Sequence, residues 1–176
     1  GQHLVRMIRP DRVRSCGRAA DPLGHGLQAP RFAGAVTVDL REPLRLALAS
    51  LEPRLKKQGI ALDLIGLERE APVLGDFALL QEAANAVLQN AADALPRRIK
   101  VALGARRAPA AKDREIVLTI EDDGRGIKAE DLEKIFQPFF TTKGSEGTGL
   151  GLSAALHILQ KHHGSVDAHS DGAGHG

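Results

Sequence analysis

Tryptophan and tyrosine are missing from the 176 residues, and five phenylalanines make up the whole aromatic share of 3%. Base-stacking platforms for single-stranded nucleic acid are therefore poorly supplied. The single cysteine, Cys16, cannot form an internal disulfide, which fits a reducing compartment. No apolar run approaches the roughly 18 residues needed to cross a bilayer, and no charged-then-apolar leader stands at the start, so a soluble, cytoplasmic domain is expected. Bulk charge is small too, at +2. Residues 1–35 hold six arginines against two aspartates, which leaves 18 basic and 20 acidic groups for residues 36–176. Such a balance argues against a nucleic-acid partner. Two familiar phosphate signatures are also absent: there is no Gly-x-x-x-x-Gly-Lys-Ser/Thr, and no Gly-x-Gly-x-x-Gly after a first strand. His157, His162 and His163 lack the His-x-x-x-His spacing with a glutamate that a metalloprotease needs.

What is present suffices for one good core, with 43% hydrophobic residues. Residues 1–35 mix Arg, Gly and three prolines without a sustained period and read as a linker or the remnant of a preceding domain. Residues 36–176 read as one α/β domain. Asp39 is a candidate N-cap for a helix with Leu44, Leu48, Leu51 and Leu55 on its buried side, ending at Gly59. Residues 60–65 alternate as a strand. A second helix, about Asp76 to Leu95, carries an apolar stripe through Phe77, Leu80, Ala84, Val87, Leu88, Ala91 and Leu95. Along one side of that stripe run Glu82, Ala86, Asn90 and Asp93. An asparagine so near the apolar edge must have its amide satisfied by a neighbour, a ligand or a hydrated metal.

Residues 99–103 and 115–121 read as antiparallel strands, because the loop between them is too short for a crossover helix. Asp122 stands where the second of these leaves the sheet. Two glycine clusters follow, Gly124/Gly126 and Gly147/Gly149/Gly151, on either side of the segment Phe136–Glu146. Glycines of this kind let the backbone approach a ligand closely, so the pair suggests a nucleotide or phosphate pocket. Residues 128–135 have the form of a short helix. A third long helix, Thr148 to His163, is expected to end at Gly164 and to offer its N-terminal N–H groups to a phosphate chain. Residues 165–170 read as a last strand, and the turn after it has no strand to follow.

These residues resemble the ATP-binding catalytic domain of bacterial sensor histidine kinases, within the superfamily that includes gyrase, Hsp90 and MutL. The family's N box resembles Glu82–Ala94, its first glycine box Asp122-x-Gly124-x-Gly126, its F box Phe136-x-Pro138-Phe139, and its second glycine box Gly147-Thr-Gly-Leu-Gly151-Leu. The continuation Phe-Phe-Thr-Thr-Lys is most similar to the nitrogen-regulator and dicarboxylate-sensor type. The resemblance implies a Bergerat-type α+β two-layer sandwich. A mixed, largely antiparallel sheet would be covered on one face by about three helices, with the last strand missing and a sheet edge left open.

The resemblance also implies site roles. Asp122 would accept a hydrogen bond from the adenine amino group of ATP. Gly124, Gly126 and Ile127 would close on the base. Asn90 would ligate Mg²⁺ through its amide oxygen, and Asp93 would reach the ribose or the metal's waters. Lys143, Gly147, Thr148, Gly149, Leu150 and Gly151 would line the triphosphate, while Phe136 and Phe139 would hinge and anchor a lid. Asn90 and Glu82 are the catalytic candidates. The implied reaction is transfer of the γ-phosphoryl group to a histidine on a dimerisation domain, with a response regulator downstream and membrane contact only through an inner-membrane parent protein. Ala86 departs from the pattern, since histidine kinases usually carry an Asn there and hydrolytic relatives a Glu. Two alternatives therefore stay open: a nucleotide-binding module with little transfer, and a hydrolytic ATPase.

Overall fold

The computed structural model describes residues 2–7, 36–107, 114–144 and 147–173. Cys16 and most of the expected linker lie outside the described residues. The elements in chain order are β1 (Gln2–Met7), β2 (Val36–Asp39), α1 (Arg41–Gln58), β3 (Ala61–Ile65), β4 (Pro72–Gly75), α2 (Phe77–Asp93), β5 (Arg98–Arg107), β6 (Arg114–Asp122), α3 (Ala129–Leu132), α4 (Gly151–Lys161) and β7 (Ser165–His169).

Five strands form one sheet in the order β3-β5-β6-β1-β7, in which only the β3–β5 pair is parallel. β2 and β4 make a separate antiparallel pair. The expected mixed, largely antiparallel sheet is observed, with one change at its C-terminal end. In place of the missing last strand and open edge that the resemblance implies, β1, from the segment read as a linker, pairs antiparallel with both β6 and β7.

α1 ends at Gly59, whose φ of +68° lets its N–H reach the Lys56 carbonyl while Ile60 N–H reaches that of Leu55. A glycine just past the last turn adopts this left-handed conformation at little cost. Asp39 is not the capping residue. Leu40 holds that position, and the Asp39 carboxylate instead accepts from the Arg41 N–H and guanidinium and from the Ala71 N–H. The Arg41 guanidinium bond, only partly opposed by burial, holds the Asp39 carboxyl below the usual carboxylate range.

α2 is capped by Asp76, whose carboxylate accepts from Leu79 N–H at 3.0 Å. The core runs between the helices and one sheet face: Leu44, Ala47, Val87 and Ala91 meet Ile99, Val101, Leu118, Ile120 and Leu159, all essentially inaccessible. Burying such side chains contributes about 1.5–3 kcal/mol each before conformational entropy is counted. His162, at the C-terminus of α4, fastens that helix to the start of α2. Its Nε2 accepts from Asp76 N–H at 3.0 Å and its Nδ1 lies 2.7 Å from the Ile158 carbonyl oxygen. An N–H can only donate and a carbonyl can only accept, so the ring is the neutral tautomer protonated at Nδ1.

Candidate functional site

α2 and β6 position the polar groups that the sequence singled out. On β6 the side chains of Ile116, Leu118 and Ile120 are buried on the helix-covered face. A strand's period of two then brings Asp122 to that same face, where it is 7% exposed. Its Oδ1 accepts from Gly124 N–H at 3.0 Å. Gly124 lies so close to the end of α2 that an added Cβ would stand 2.6 Å from both Cβ and the carbonyl oxygen of Ala94. The Arg125 N–H donates to that same oxygen at 3.0 Å. Gly126 follows with φ +68°, and Ile127 N–H donates to Ser170 Oγ at 2.9 Å. The first glycine turn is thus held between α2 and the strand end of β7.

The second glycine cluster is stapled to the phenylalanine segment. Phe139 N–H donates to the Gly149 carbonyl at 2.9 Å, and a Cβ on Gly149 would come within 2.3 Å of the Phe139 carbonyl carbon. Gly149 has φ +66°, so helix α4 cannot run back to Thr148 as the sequence suggested; Leu150 takes the capping position and the helix starts at Gly151. Gly147 is equally confined, with Thr141 Oγ1 at 2.1 Å from its would-be Cβ. Phe136 packs against the core, whereas Phe139 is 75% exposed and itself adopts φ +67°.

Between these turns and α2 lies a cleft of about 820 Å³. Glu82, Asn90, Asp93 and Asp122 line it, as do Gly126, Ile127 and Lys143. Gly147, Thr148, Gly149 and Gly151 complete the opposite wall. Of the residues expected at the site, Gly124, Leu150, Phe136 and Phe139 do not line the cleft; Gly124 shapes the turn, and Leu150 is half-exposed. Ala86 also lines the cleft, and a Cβ on Gly151 would lie 3.8 Å from its methyl. Asn85 does not replace the missing amide freely, because its Oδ1 accepts from Ser50 Oγ on α1 at 3.2 Å.

The cleft's charged centre is a chain of three charged side chains, with Asn90 bonded at one end. Lys143 Nζ donates to Asp93 Oδ2 at 2.5 Å and to Asn90 Oδ1 at 3.3 Å, and Arg54 Nη2 donates to Asp93 Oδ1 at 2.6 Å. Burial works to raise the Asp93 pKa, but the bonds from Lys143 and Arg54 outweigh it and hold the carboxyl below its ordinary value. Among the described residues there is no group of three or more His, Cys, Asp or Glu side chains able to hold a metal ion.

Sequence reading missed four contributors: Arg54, Asp123, Thr141 and Ser170. Asp123 Oδ1 accepts from both Arg97 and Arg98 N–H at 2.8 Å and ties the α2–β5 turn to the glycine turn. The Asp-Asp pair before the first glycine was the available signal for it. Arg54 and Ser170 act through partners 39 and 43 residues away, respectively, and carried no local signal.

Residues 75–176 match the family described as histidine kinase-, DNA gyrase B- and HSP90-like ATPases. The chain belongs to this family. Sensor kinase CckA of Brucella abortus is 35% identical over 145 residues, covering 76% of this chain and 15% of CckA. The two-component sensor PprA of Pseudomonas aeruginosa is 34% identical over 98% of this chain and 22% of its own length. The sensor histidine kinase ZraS of Salmonella typhimurium is 30% identical over 82% of this chain and 30% of its own. The chain thus spans less than a third of each of these relatives.

Among solved structures, the mycobacterial sensor histidine kinase MprB is similar with a TM-score of 0.61 at 28% identity, over 74% of this chain and 81% of that one. The catalytic domain of histidine kinase ThkA gives 0.58 at 27% identity, over 73% and 82%. The two-layer arrangement of this ATPase-family domain is that of a histidine kinase catalytic domain. Its match begins at Gly75, immediately before the cap of α2, so both glycine turns, the phenylalanine segment and Asn90 all fall inside it.

Proposed function

We propose that this chain is the ATP-binding catalytic domain of a sensor histidine kinase, passing the γ-phosphoryl group of ATP to a histidine on a dimerisation domain outside these residues. The observation that supports it most is the convergence of Asn90, Asp122, Lys143 and two glycine turns on one cleft. Asp122, buried at the inner end, is an acceptor suited to the adenine amino group, and guanine presents a carbonyl at the corresponding place. Gly126 and Ile127 lie against the base. Lys143, Gly147, Thr148, Gly149 and Gly151 surround the phosphates, with Leu150 capping the helix behind them.

Mg²⁺ fits this donor set at one point. The carboxamide oxygen of Asn90 already attracts a cation, the Lys143 ammonium, and a hard neutral oxygen is a suitable ligand for a hard ion. Asn90 would be the residue of this set to hold it, an ion that commonly relies on few protein ligands. When bound, it neutralises charge on the phosphates during transfer. Asn90 then orients the phosphates, while Asp93 and Glu82 border the same strip of α2.

Ala86 favours a second reading, a nucleotide-binding module with slow transfer, since it presents only a methyl group beside Gly151. Hydrolysis needs a base for water, and Glu82, one turn further back and exposed, is the nearest acid on that strip. The partners are a histidine-containing dimerisation domain and a response regulator. No helix among the described residues is long and apolar enough to cross a membrane.

Radiolabelled γ-phosphate transfer from ATP to a dimerisation domain supplied in trans tests the proposal. Labelled histidine is expected, and Ala86→Asn should raise its rate about tenfold, the worth of one added charge-assisted contact. Nucleotide binding with no label in either protein would favour the binding-module reading.

A further inference from the structure

Arg54 is the one member of the charged chain that does not touch the cleft. It lies on α1, outside the cleft lining, and reaches Asp93 from the far side through a single bond from Nη2 to Oδ1 at 2.6 Å. Lys143 takes the other carboxylate oxygen from the cleft side and also contacts Asn90 Oδ1. The three side chains are 26–39% exposed, so their charges are partly shielded from water.

This arrangement has two states with different charge balance. As observed, two cations share one carboxylate, and the ammonium occupies the neighbourhood of the Asn90 oxygen. A divalent ion on that oxygen would repel the ammonium, so a metal-bound polyphosphate and the Lys143–Asn90 contact cannot coexist there. A bound polyphosphate offers that displaced ammonium more negative charge than one carboxylate does, which draws Lys143 from Asp93 to the phosphates. Without another partner, Asp93 would be left as a bare carboxylate facing a polyanion, and that repulsion would weaken binding. Arg54 removes this cost because its bond to Oδ1 does not depend on Lys143.

We propose that Arg54 is a positioning residue for nucleotide binding: it keeps Asp93 neutralised when Lys143 transfers from Asp93 to the phosphates. The inference rests on the reading of the cleft as a metal-nucleotide site. It predicts that Arg54 matters for phosphate-bearing ligands and acts only through Asp93.

The experiment is titration calorimetry on the full chain, with Mg-ATP and with adenosine as a phosphate-free competitor for the same cleft. Wild type, Arg54→Met, Arg54→Lys, Asp93→Asn and the Arg54→Met/Asp93→Asn double variant are compared. Arg54→Met is expected to weaken Mg-ATP binding about three- to tenfold, in line with loss of one charge-assisted contact, and to leave adenosine unchanged. Arg54→Lys should recover most of the loss, because one bond and not a bidentate fork is needed. In the Asp93→Asn background, Arg54→Met should have no further effect.

Equal Mg-ATP affinity for wild type and Arg54→Met would overturn the inference. So would a loss shared equally by adenosine, which marks a merely structural role, or an undiminished loss in the Asp93→Asn background. Absence of Mg-ATP binding by the wild-type chain would overturn the reading of the cleft and this inference with it; wild-type binding beside an indifferent Arg54→Met overturns this inference alone.

Discussion

Gly59 and Gly149 have nearly the same backbone conformation, φ +68° and +66°, in very different surroundings. A Cβ on Gly59 would meet nothing within 4 Å, whereas one on Gly149 would lie 2.3 Å from the carbonyl carbon and 2.7 Å from the Cα of Phe139. Gly59→Ala should therefore cost only the left-handed penalty, about 1–2 kcal/mol. Gly149→Ala carries the same penalty and adds an overlap with backbone, which cannot rotate away; overpacking of this kind costs about 1–3 kcal/mol more. The strain has one escape, which is to break the 2.9 Å bond from Phe139 N–H to the Gly149 carbonyl and let the segment depart from the cleft. Urea unfolding and Mg-ATP calorimetry on both variants read the two outcomes together. Gly59→Ala should lose stability and keep its nucleotide affinity. Gly149→Ala should lose about 2–5 kcal/mol of stability, or retain stability and lose affinity by tenfold or more. If Gly149→Ala matches Gly59→Ala in both measurements, the staple between Phe139 and Gly149 has no role in holding the cleft.

Other perturbations have equally definite signs. His162→Ala leaves the Asp76 N–H without its acceptor and opens a space between α2 and α4, so urea unfolding should show a loss of about 2–4 kcal/mol. The Asp39 carboxyl is held below its ordinary value in the folded state, so its contribution is fully present above about pH 4 and disappears as the pH falls through the lower folded value. The urea midpoints of wild type and Asp39→Asn should accordingly differ at pH 7 and converge once the pH has fallen below the lowered folded-state value; a difference that stays constant with pH would contradict the role assigned to that carboxylate.

Local signals in the sequence carried much of the fold. The leucine spacing of α1 and its glycine stop needed only helical periodicity and one left-handed residue. The apolar stripe of α2 was legible through its middle, from Leu80 to Ala91, and failed at its ends. Phe77 is 38% exposed, and Leu95, forced to φ +55° just before Pro96, is 70% exposed. Similarly, the left-handed residue after α4 is His163, at φ +56°, and Gly164 closes the turn with its N–H on the Leu159 carbonyl.

Long-range pairings escaped notice. β2 and β4 are four-residue strands that owe their existence to one another across more than 30 residues, and β1 is extended between β6 and β7 without any turn to announce it. At the site, residues that lie on a regular element or in a glycine motif were readable: Asn90 and Asp93 from the helical period, Asp122 from its place at a strand end ahead of a glycine pair. The bonds that tie Lys143 to Asp93 and Asp93 to Arg54 span 50 and 39 residues, and no period encodes them.

The most direct test of an adenine nucleotide site here is calorimetry of Mg-ATP and Mg-GTP on the wild-type chain and on Asp122→Ala. Saturable binding of Mg-ATP, at least tenfold weaker binding of Mg-GTP, and loss of the Mg-ATP signal in a folded Asp122→Ala variant are predicted, since a buried donor or acceptor left without its partner (the adenine amino group in the variant, the Asp122 carboxylate facing guanine) costs about 1–3 kcal/mol. Equal affinity for the two nucleotides, or an Asp122→Ala variant that binds Mg-ATP as the wild type does, would contradict the assignment of Asp122 to the base and with it the orientation of the whole cleft.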